Sequence, residues 1–160
     1  MKFREAEKLG ILIRDREGET YIARWWNGCS AVLDLSNPEA GKWLKSQFDQ
    51  LTAMGVDGFK FDGGDSVYYR EDNQTFGQVS PDEQCRLWSI FAEQYPFNEL
   101  RASVKTGGRP LFQRLCDKAH SWGDSGAASL LPDTLLQGIT GYPYGCPDMI
   151  GGGEYLNFQE

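Results

Sequence analysis

A capped amphipathic helix that passes straight into an apolar strand restricts the fold more than any other sequence feature. Asn37 and Pro38 are typical of a helix N-terminus, where a capping side chain precedes a proline in the first turn. Apolar residues then recur every three or four positions, which predicts a helix with one buried face over residues 38–54. Gly55 ends it, and a strand at residues 56–61 follows directly, in which Val56, Phe59 and Phe61 are apolar and β-favouring.

Further strand-like and helix-like segments alternate along the chain. Strands are predicted at residues 20–26, 100–104, 119–122 and 142–146, helices from Pro81 to before Pro96 and over residues 129–140, and a loop or short helix over residues 107–118. Such alternation predicts an α/β fold with a parallel sheet. A chain of 160 residues with 40% hydrophobic and 13% aromatic content is expected to form one domain, residues 1–160, with a real core.

The predicted strand at residues 56–61 runs into charged residues. Lys60 and Asp62 are two positions apart and therefore share a face. Gly63 and Gly64 follow, which is expected to leave the backbone beside Asp62 open to a ligand, and Asp65 adds a second carboxylate. Two interpretations stay open: these residues form an active site, or the aspartates are turn formers after a strand.

Other polar and aromatic residues also collect at the carboxyl ends of the predicted strands. They are Trp26, Asn27, Arg101, His120, Trp122 and Asp148. Parallel sheets bind ligands at this edge. Carboxylates that face each other there satisfy the need of glycoside hydrolysis for an acid and a nucleophile, and tryptophans beside them offer flat apolar walls to a sugar ring. Trp43 and Trp88 lie on predicted helix faces and are expected to be packing residues.

Charge and cysteine usage exclude several classes of function. A formal charge of −7 disfavours nucleic acid and anionic membranes as partners and leaves neutral, sugar-like ligands open. The four cysteines contain no Cys-x-x-Cys pair and there is one histidine, so neither a metal site, another cofactor nor a disulfide framework is predicted. The cysteines are expected to be reduced and buried. No signal sequence is visible in residues 1–32, which predicts a cytoplasmic location unless a leader has been lost.

Two stretches carry a resemblance to a known family. RWWNGCSAVLDLSNPEAGKWLKSQFDQLTAMGVDGFKFDGGD at residues 24–65 and CPDMIGGGE at residues 146–154 resemble glycoside hydrolase family 31, the retaining α-glycosidases with a (β/α)8 barrel. The resemblance implies a partial TIM barrel, roughly strands 3 to 7, truncated at both ends. It implies hydrolysis of terminal α-glycosidic bonds in an oligosaccharide or α-glycoside. It leaves open whether the sugar is glucose, galactose or xylose, and whether the enzyme is a hydrolase, a transglycosylase or a lyase.

The family's nucleophile is the aspartate of a Lys-x-Asp at a strand end, which corresponds to Asp62. Lys60 corresponds to the family's sugar-contacting lysine and Trp26 to a tryptophan that lines its sugar site, so both are expected to flank Asp62. Asp65 and Trp122 are further candidates for substrate binding.

Two aspartates compete for the role of acid/base. His120-Ser121-Trp122-Gly123-Asp124 resembles the family's His-Trp-x-Gly-Asp, which ends in the acid/base. The family also places a substrate-binding arginine about sixteen residues before that acid, and the residue sixteen after Arg101 is Asp117. We predict Asp117, with its carboxyl group roughly 5 to 6 Å from that of Asp62, and Asp124 as the alternative farther away. Asp148 is expected either to bridge to Arg101 or to the sugar, or to have a structural role, and Arg101 is expected to help hold the acid.

Family members are several times longer than this chain. An arc of about five barrel strands would leave two sheet edges and much apolar surface exposed. Two alternatives to a working enzyme therefore stay open: a carbohydrate-binding relic without turnover, and a piece that acts only when joined to the rest of the barrel. The glycines at 151–153 are predicted to form a turn rather than a phosphate loop.

Overall fold

A computed structural model of the chain describes residues 2–149 as helices, an antiparallel hairpin and a parallel sheet. The helices are α1 (Lys2–Lys8), α2 (Pro38–Ala53), α3 (Pro81–Ala92) and α4 (Leu130–Ile139), and the strands are β1 (Ile22–Trp25), β2 (Gly28–Ala31), β3 (Gly58–Phe61), β4 (Phe97–Leu100), β5 (Phe112–Arg114) and β6 (Tyr144–Cys146). The predicted turn at 151–153 lies outside the described residues. None of the helices within residues 2–149 combines the length and apolar character needed to cross a bilayer.

The three long helices form where caps and periodicity predict them. The Asn37 side chain accepts a hydrogen bond from the Glu39 backbone N–H at 3.0 Å, which caps α2. Ser80 caps α3 in the same way through the N–H of Glu83. Pro132 lies in the first turn of α4, where its missing N–H costs no helical hydrogen bond.

The parallel sheet has the strand order β3-β4-β5-β6 among the described residues. Each neighbouring pair is parallel, and the pairing sets Lys60 beside Glu99 and Arg114 beside Cys146. The predicted α/β class is therefore confirmed. The β-rich segment 20–26 pairs differently from the sheet: β1 and β2 form a separate antiparallel hairpin.

Three predicted segments were wrong in detail. The strand predicted at 100–104 runs instead over β4 and begins directly after Pro96. Residues 107–118, predicted as a loop or short helix, contain β5. No strand forms at 119–122, because this backbone bonds within its own loop: Ala119 N–H donates to Ser125 O and Ala127 N–H to Ser121 O.

Helices cover one face of the sheet and leave the other open. Phe61 is 1% exposed and packs with Phe91 of α3, and burial of such a side chain contributes about 1.5 to 3 kcal/mol. Because side chains alternate along a strand, Lys60 points to the opposite, concave face. There Phe97, Phe112 and Tyr144 border an open groove of about 660 Å³.

Gly58 lies at the bottom of this groove, where β3 and β4 approach each other closely. A Cβ atom at Gly58 would lie 2.2 Å from the backbone oxygen of Phe97. Real Cβ atoms do not tolerate such a contact with backbone, so glycine is required here by packing.

The hairpin is held against the loop that follows β3. Tyr21 donates its phenolic hydrogen to the backbone oxygen of Tyr68 at 2.9 Å. The Trp25 ring lies 4.2 Å from the Tyr68 ring, measured between centroids. The hairpin therefore delivers two tryptophans, Trp25 and Trp26, to the end of β3.

Asp34, which follows β2, is a buried carboxylate that ties three segments together. It is 4% exposed and accepts hydrogen bonds from the Ser36 N–H, from the Phe76 N–H at 2.6 Å and from the Gln84 side-chain amide at 2.7 Å. Because these donors belong to the start of α2, the loop before α3 and α3 itself, one side chain fixes their relative positions.

Replacing Asp34 should therefore destabilise the fold. In Asp34→Asn the new NH₂ group faces donors, and we expect the free energy of unfolding to fall by about 2 to 3 kcal/mol. Urea unfolding followed by circular dichroism measures this value. Asp49→Asn is the matched control, because Asp49 is 54% exposed and pairs only with Lys45 on the surface of α2, where ion pairs contribute little. Equal losses in both variants would contradict the assigned role.

Candidate active site

Asp62 directly follows β3, and because it lies two positions after Lys60 it shares the concave face of the sheet. Its side chain is 45% exposed, and its Oδ1 accepts a hydrogen bond from the Gly63 N–H at 3.1 Å. Gly63 and Gly64 have positive φ angles of 74° and 80°, which favour glycine.

The sequence predicted that Gly63 and Gly64 leave the backbone open to a ligand, and this prediction is wrong. Both are buried. The Trp25 ring lies 3.5 Å from where a Cβ of Gly63 would be, and the Trp88 ring would overlap a Cβ of Gly64 at 2.2 Å. The glycines therefore give two indole rings room to pack under the loop, whereas the side chain of Asp62 is exposed.

Acidic side chains of the concave face converge on Arg114. Its side chain is 5% exposed, and it is the last residue of β5. Its Nη2 donates to Asp62 Oδ1 at 2.9 Å, its Nη1 lies 3.6 Å from Asp117 Oδ1, and its Nε lies 3.0 Å from Glu99 Oε1. Nη1 also contacts Asp148 Oδ2 closely.

Lys60 adds a second cation to this group. Its Nζ lies 3.5 Å from Asp148 and 3.9 Å from Glu99. We call the whole set the arginine cluster: Lys60, Asp62, Glu99, Arg114, Asp117 and Asp148. Four carboxylates and two cations leave it with a formal charge of −2.

The arginine cluster brings the two predicted catalytic carboxylates together. Because Asp62 and Asp117 bind the two terminal nitrogens of one planar guanidinium, their bound oxygens lie within about 9 Å of each other. The Asp117 side chain is 49% exposed. Asp124 lies in the exposed turn after Trp122 and has no ion pair with Arg114 in the described part of the chain.

A second arginine lies on the other side of Asp62. Arg101 follows β4; its Nε lies 3.2 Å from Asp65 Oδ1 and its Nη1 3.9 Å from Asp62 Oδ1. Burial lowers the pKa of Arg101, but the neighbouring acidic groups, chiefly the Asp65 carboxylate, together raise it by more, so the net pKa is raised and the charge is retained. Its guanidinium carbon stacks 4.2 Å above the Trp26 ring.

Two expected contacts of Arg101 are wrong. It binds Asp65 and Asp62 rather than the acid candidate Asp117, which pairs with Arg114. Asp148 likewise bridges to Arg114 and Lys60 instead of Arg101, because it follows β6, the strand next to β5.

Aromatic side chains form a platform beside Asp62. Trp26 is 56% exposed, and its ring lies 5.9 Å from that of Tyr68. Trp26 reaches Asp62 through Arg101 rather than directly. Trp122 is 73% exposed on the loop after Asp117 and forms no aromatic or cation–π pair among the described residues, so the structure does not join it to this platform.

Sequence reasoning missed Arg114, Glu99 and Tyr68. Arg114 lies in β5, within a segment predicted as a loop or short helix, and Glu99 lies in β4 just before the strand predicted at 100–104. The sequence did contain a signal for Glu99. This residue lies two residues before Arg101, so in a correctly placed strand both side chains share one face. Within residues 2–149 no group of acidic, histidine or cysteine side chains is arranged to hold a metal ion.

The cysteines differ in exposure, contrary to the expectation that all are buried. Cys29 and Cys116 are exposed and Cys85 is buried. Burial raises the pKa of the Cys85 thiol to about 11. Burial, and then the negative charge of Glu99, raise the pKa of the Cys146 thiol as well. The pKa of the Cys146 thiol is therefore a probe of its position beside the arginine cluster.

Thiol alkylation tests this placement without any enzyme assay. Because only the thiolate reacts, iodoacetamide at pH 8 should modify Cys29 and Cys116 first, Cys146 more slowly and Cys85 last. The Cys146 rate should keep rising with pH beyond the usual thiol range near 8.5. Peptide mass spectrometry over time measures each rate. Modification of Cys146 as fast as Cys29 would contradict its placement beside Glu99.

A family model and several known proteins are similar to this chain. A family model described as the glycosyl hydrolases family 31 TIM-barrel domain matches residues 1–114. A myogenesis-regulating glycosidase from Mus musculus is 36% identical over 94% of this chain and 22% of its own length. An alpha-xylosidase, XylQ, from Lactiplantibacillus pentosus is 30% identical over 74% of this chain and 16% of its own.

A solved structure shares the fold closely. A sulfoquinovosidase of the same family from E. rectale, in complex with an aza-sugar inhibitor, superposes with a TM-score of 0.84 at 22% identity, covering 98% of this chain and 26% of its own. The chain thus spans about a sixth to a quarter of the length of these relatives.

Proposed function

Because this chain belongs to glycoside hydrolase family 31, we propose that it carries the catalytic carboxylates of a longer glycosidase that cleaves terminal α-glycosidic bonds by double displacement. The observation that carries the proposal is the shared guanidinium: Arg114 binds both Asp62 and Asp117 at one edge of a parallel sheet. The α linkage is supported by the relative named an alpha-xylosidase.

In the first step the Asp62 carboxylate attacks the anomeric carbon of the sugar. A covalent ester forms as the glycosidic bond breaks, and Asp117 protonates the departing oxygen. The carboxylate of Asp62, which is the form that attacks, is paired with the guanidinium groups of Arg114 and Arg101. Both arginines bind Oδ1.

In the second step Asp117 acts as a base. It takes a proton from water, the resulting hydroxide attacks the anomeric carbon, and the ester bond to Asp62 breaks. Asp117 touches Arg114 only at 3.6 Å and is half-exposed, so its carboxyl group can reach both the leaving oxygen and solvent.

The surrounding residues bind the sugar in this proposal. Trp26 presents a ring face beside Asp62, and its stacked partner Arg101 offers donors to sugar hydroxyls. Lys60 is half-exposed and lines the open groove on the concave face of the sheet. Asp65 holds Arg101, and Asp148 holds Lys60 and Arg114, so these two act on the sugar through the cations. Trp122 is proposed to meet the part of the substrate beyond the scissile bond.

The nucleophile assignment predicts chemical rescue. In the full-length protein, Asp62→Ala should lose turnover of aryl α-glycosides, because no ester can form. Azide should restore part of the turnover by attacking the anomeric carbon, with a glycosyl azide as product. The assay measures aryl-alcohol release and identifies the azide product by mass spectrometry. Unchanged activity in Asp62→Ala would remove the core of the proposed mechanism.

The acid/base assignment predicts a dependence on the leaving group. Asp117→Ala should slow substrates with poor leaving groups far more than activated aryl glycosides, because only the former need the proton. Asp124→Ala is the matched comparison and should leave both rates close to those of the wild type. Steady-state rates across a series of leaving groups test both variants. The reverse pattern would assign the acid/base to Asp124.

A further inference from the structure

Glu99 is the one carboxylate of the arginine cluster that this mechanism leaves without a role. It lies on β4 directly beside Lys60 of β3, in the middle of the groove face. Its side chain is 31% exposed, but Oε1 is buried. That oxygen lies 3.0 Å from Arg114 Nε and 3.9 Å from Lys60 Nζ. A negative charge has therefore been placed inside the sheet between the two cations.

The fork shape of the Arg114 guanidinium makes this placement consequential. The group is planar, and its N–H donors point in fixed directions. Nη2 is bound by Asp62, and Nη1 by Asp117 and Asp148. Nε faces Glu99, so all three nitrogens have a carboxylate neighbour. Because the three nitrogens are rigidly linked in one plane, a negative charge at Nε influences where both terminal nitrogens lie.

We infer that Glu99 is a positioning residue, which holds the guanidinium of Arg114 in the orientation that lets it bind Asp62 and Asp117 together. The inference rests on the proposed function, since it takes these two aspartates as nucleophile and acid/base. Glu99 does not touch the sugar's reacting atoms itself. It lies one step deeper in the sheet than Asp62, level with Lys60.

The Glu99–Arg114 contact has the distance of an ion pair without the alignment of a hydrogen bond. Both Oε1 and Nε are buried and otherwise without a hydrogen-bond partner in the described residues. Catalytic hydrogen bonds are often poorly aligned before substrate binds and tighten in the complex. Even without that alignment, the Glu99 carboxylate attracts the charged Nε end of the guanidinium at 3.0 Å.

Replacing Glu99 by glutamine removes the charge and keeps the size. In the full-length protein, Glu99→Gln should lower kcat by about 10- to 100-fold with little change in KM, because misplaced catalytic groups slow the chemical step. Glu93→Gln is the matched control. Glu93 also pairs with an arginine, Arg109, but at the end of α3 and outside the groove, so this variant should keep wild-type kcat.

A second measurement is independent of activity. The Arg114 Nε–H resonance, assigned through its loss in Arg114→Lys, should shift and exchange faster with water in Glu99→Gln and stay unchanged in Glu93→Gln. If Glu99→Gln fails to fold, Glu99→Asp replaces it, since this variant keeps the charge but withdraws it by one methylene, and the same shift is expected.

The two measurements separate the inference from the proposed function. An unchanged Arg114 resonance, or a kcat within about twofold of wild type, would overturn the role of Glu99 while the glycosidase assignment stands. Absence of any glycosidase activity in the wild type would remove the proposed function, and the resonance alone would then decide whether Glu99 orients Arg114. A loss of kcat in Glu99→Gln without any shift of the resonance would assign Glu99 a different role and also overturn the inference.

Discussion

A buried guanidinium is the constraint on which this structure depends. Arg114 is 5% exposed, and a charge removed from water is costly unless paired and hydrogen-bonded. The pairing carboxylates come from the end of β3, from β4, and from the segments after β5 and β6. They are far apart in sequence and meet only because parallel strands end at one edge. The need to neutralise Arg114 thus ties the strand positions to the site.

Local signals predicted the helices well. The caps Asn37 and Ser80 and the apolar stripes that follow them depend only on neighbouring residues, so α2 and α3 were readable from sequence. The end of β3 was readable for the same reason: Phe59 and Phe61 alternate with Lys60 and lead to Asp62. Each of these features is complete within a short stretch of chain.

The strands that carry the missed site residues were not readable. β4 contains Asn98 and Glu99 between apolar residues, and β5 is three residues long and ends in Arg114. A polar side chain inside a strand weakens the apolar pattern, and three residues are too few to show alternation. The charged residues within β4 and β5 therefore conceal the strands that contain them. The exposed Cys29 and Cys116 show the same limit, since composition alone does not locate a side chain.

The glycine at position 58 constrains the position of Asp62 in the sheet. The space opposite Phe97 admits no side chain, and the residues after Gly58 in β3 are phenylalanine and lysine. If β3 slid along β4 by one or two positions, Phe59 or Lys60 would have to enter that space, and a one-residue slip would also turn every side chain of β3 to the wrong face. The single glycine therefore fixes the register in which β3 pairs with β4. The nucleophile candidate is set in place from the opposite end of its strand.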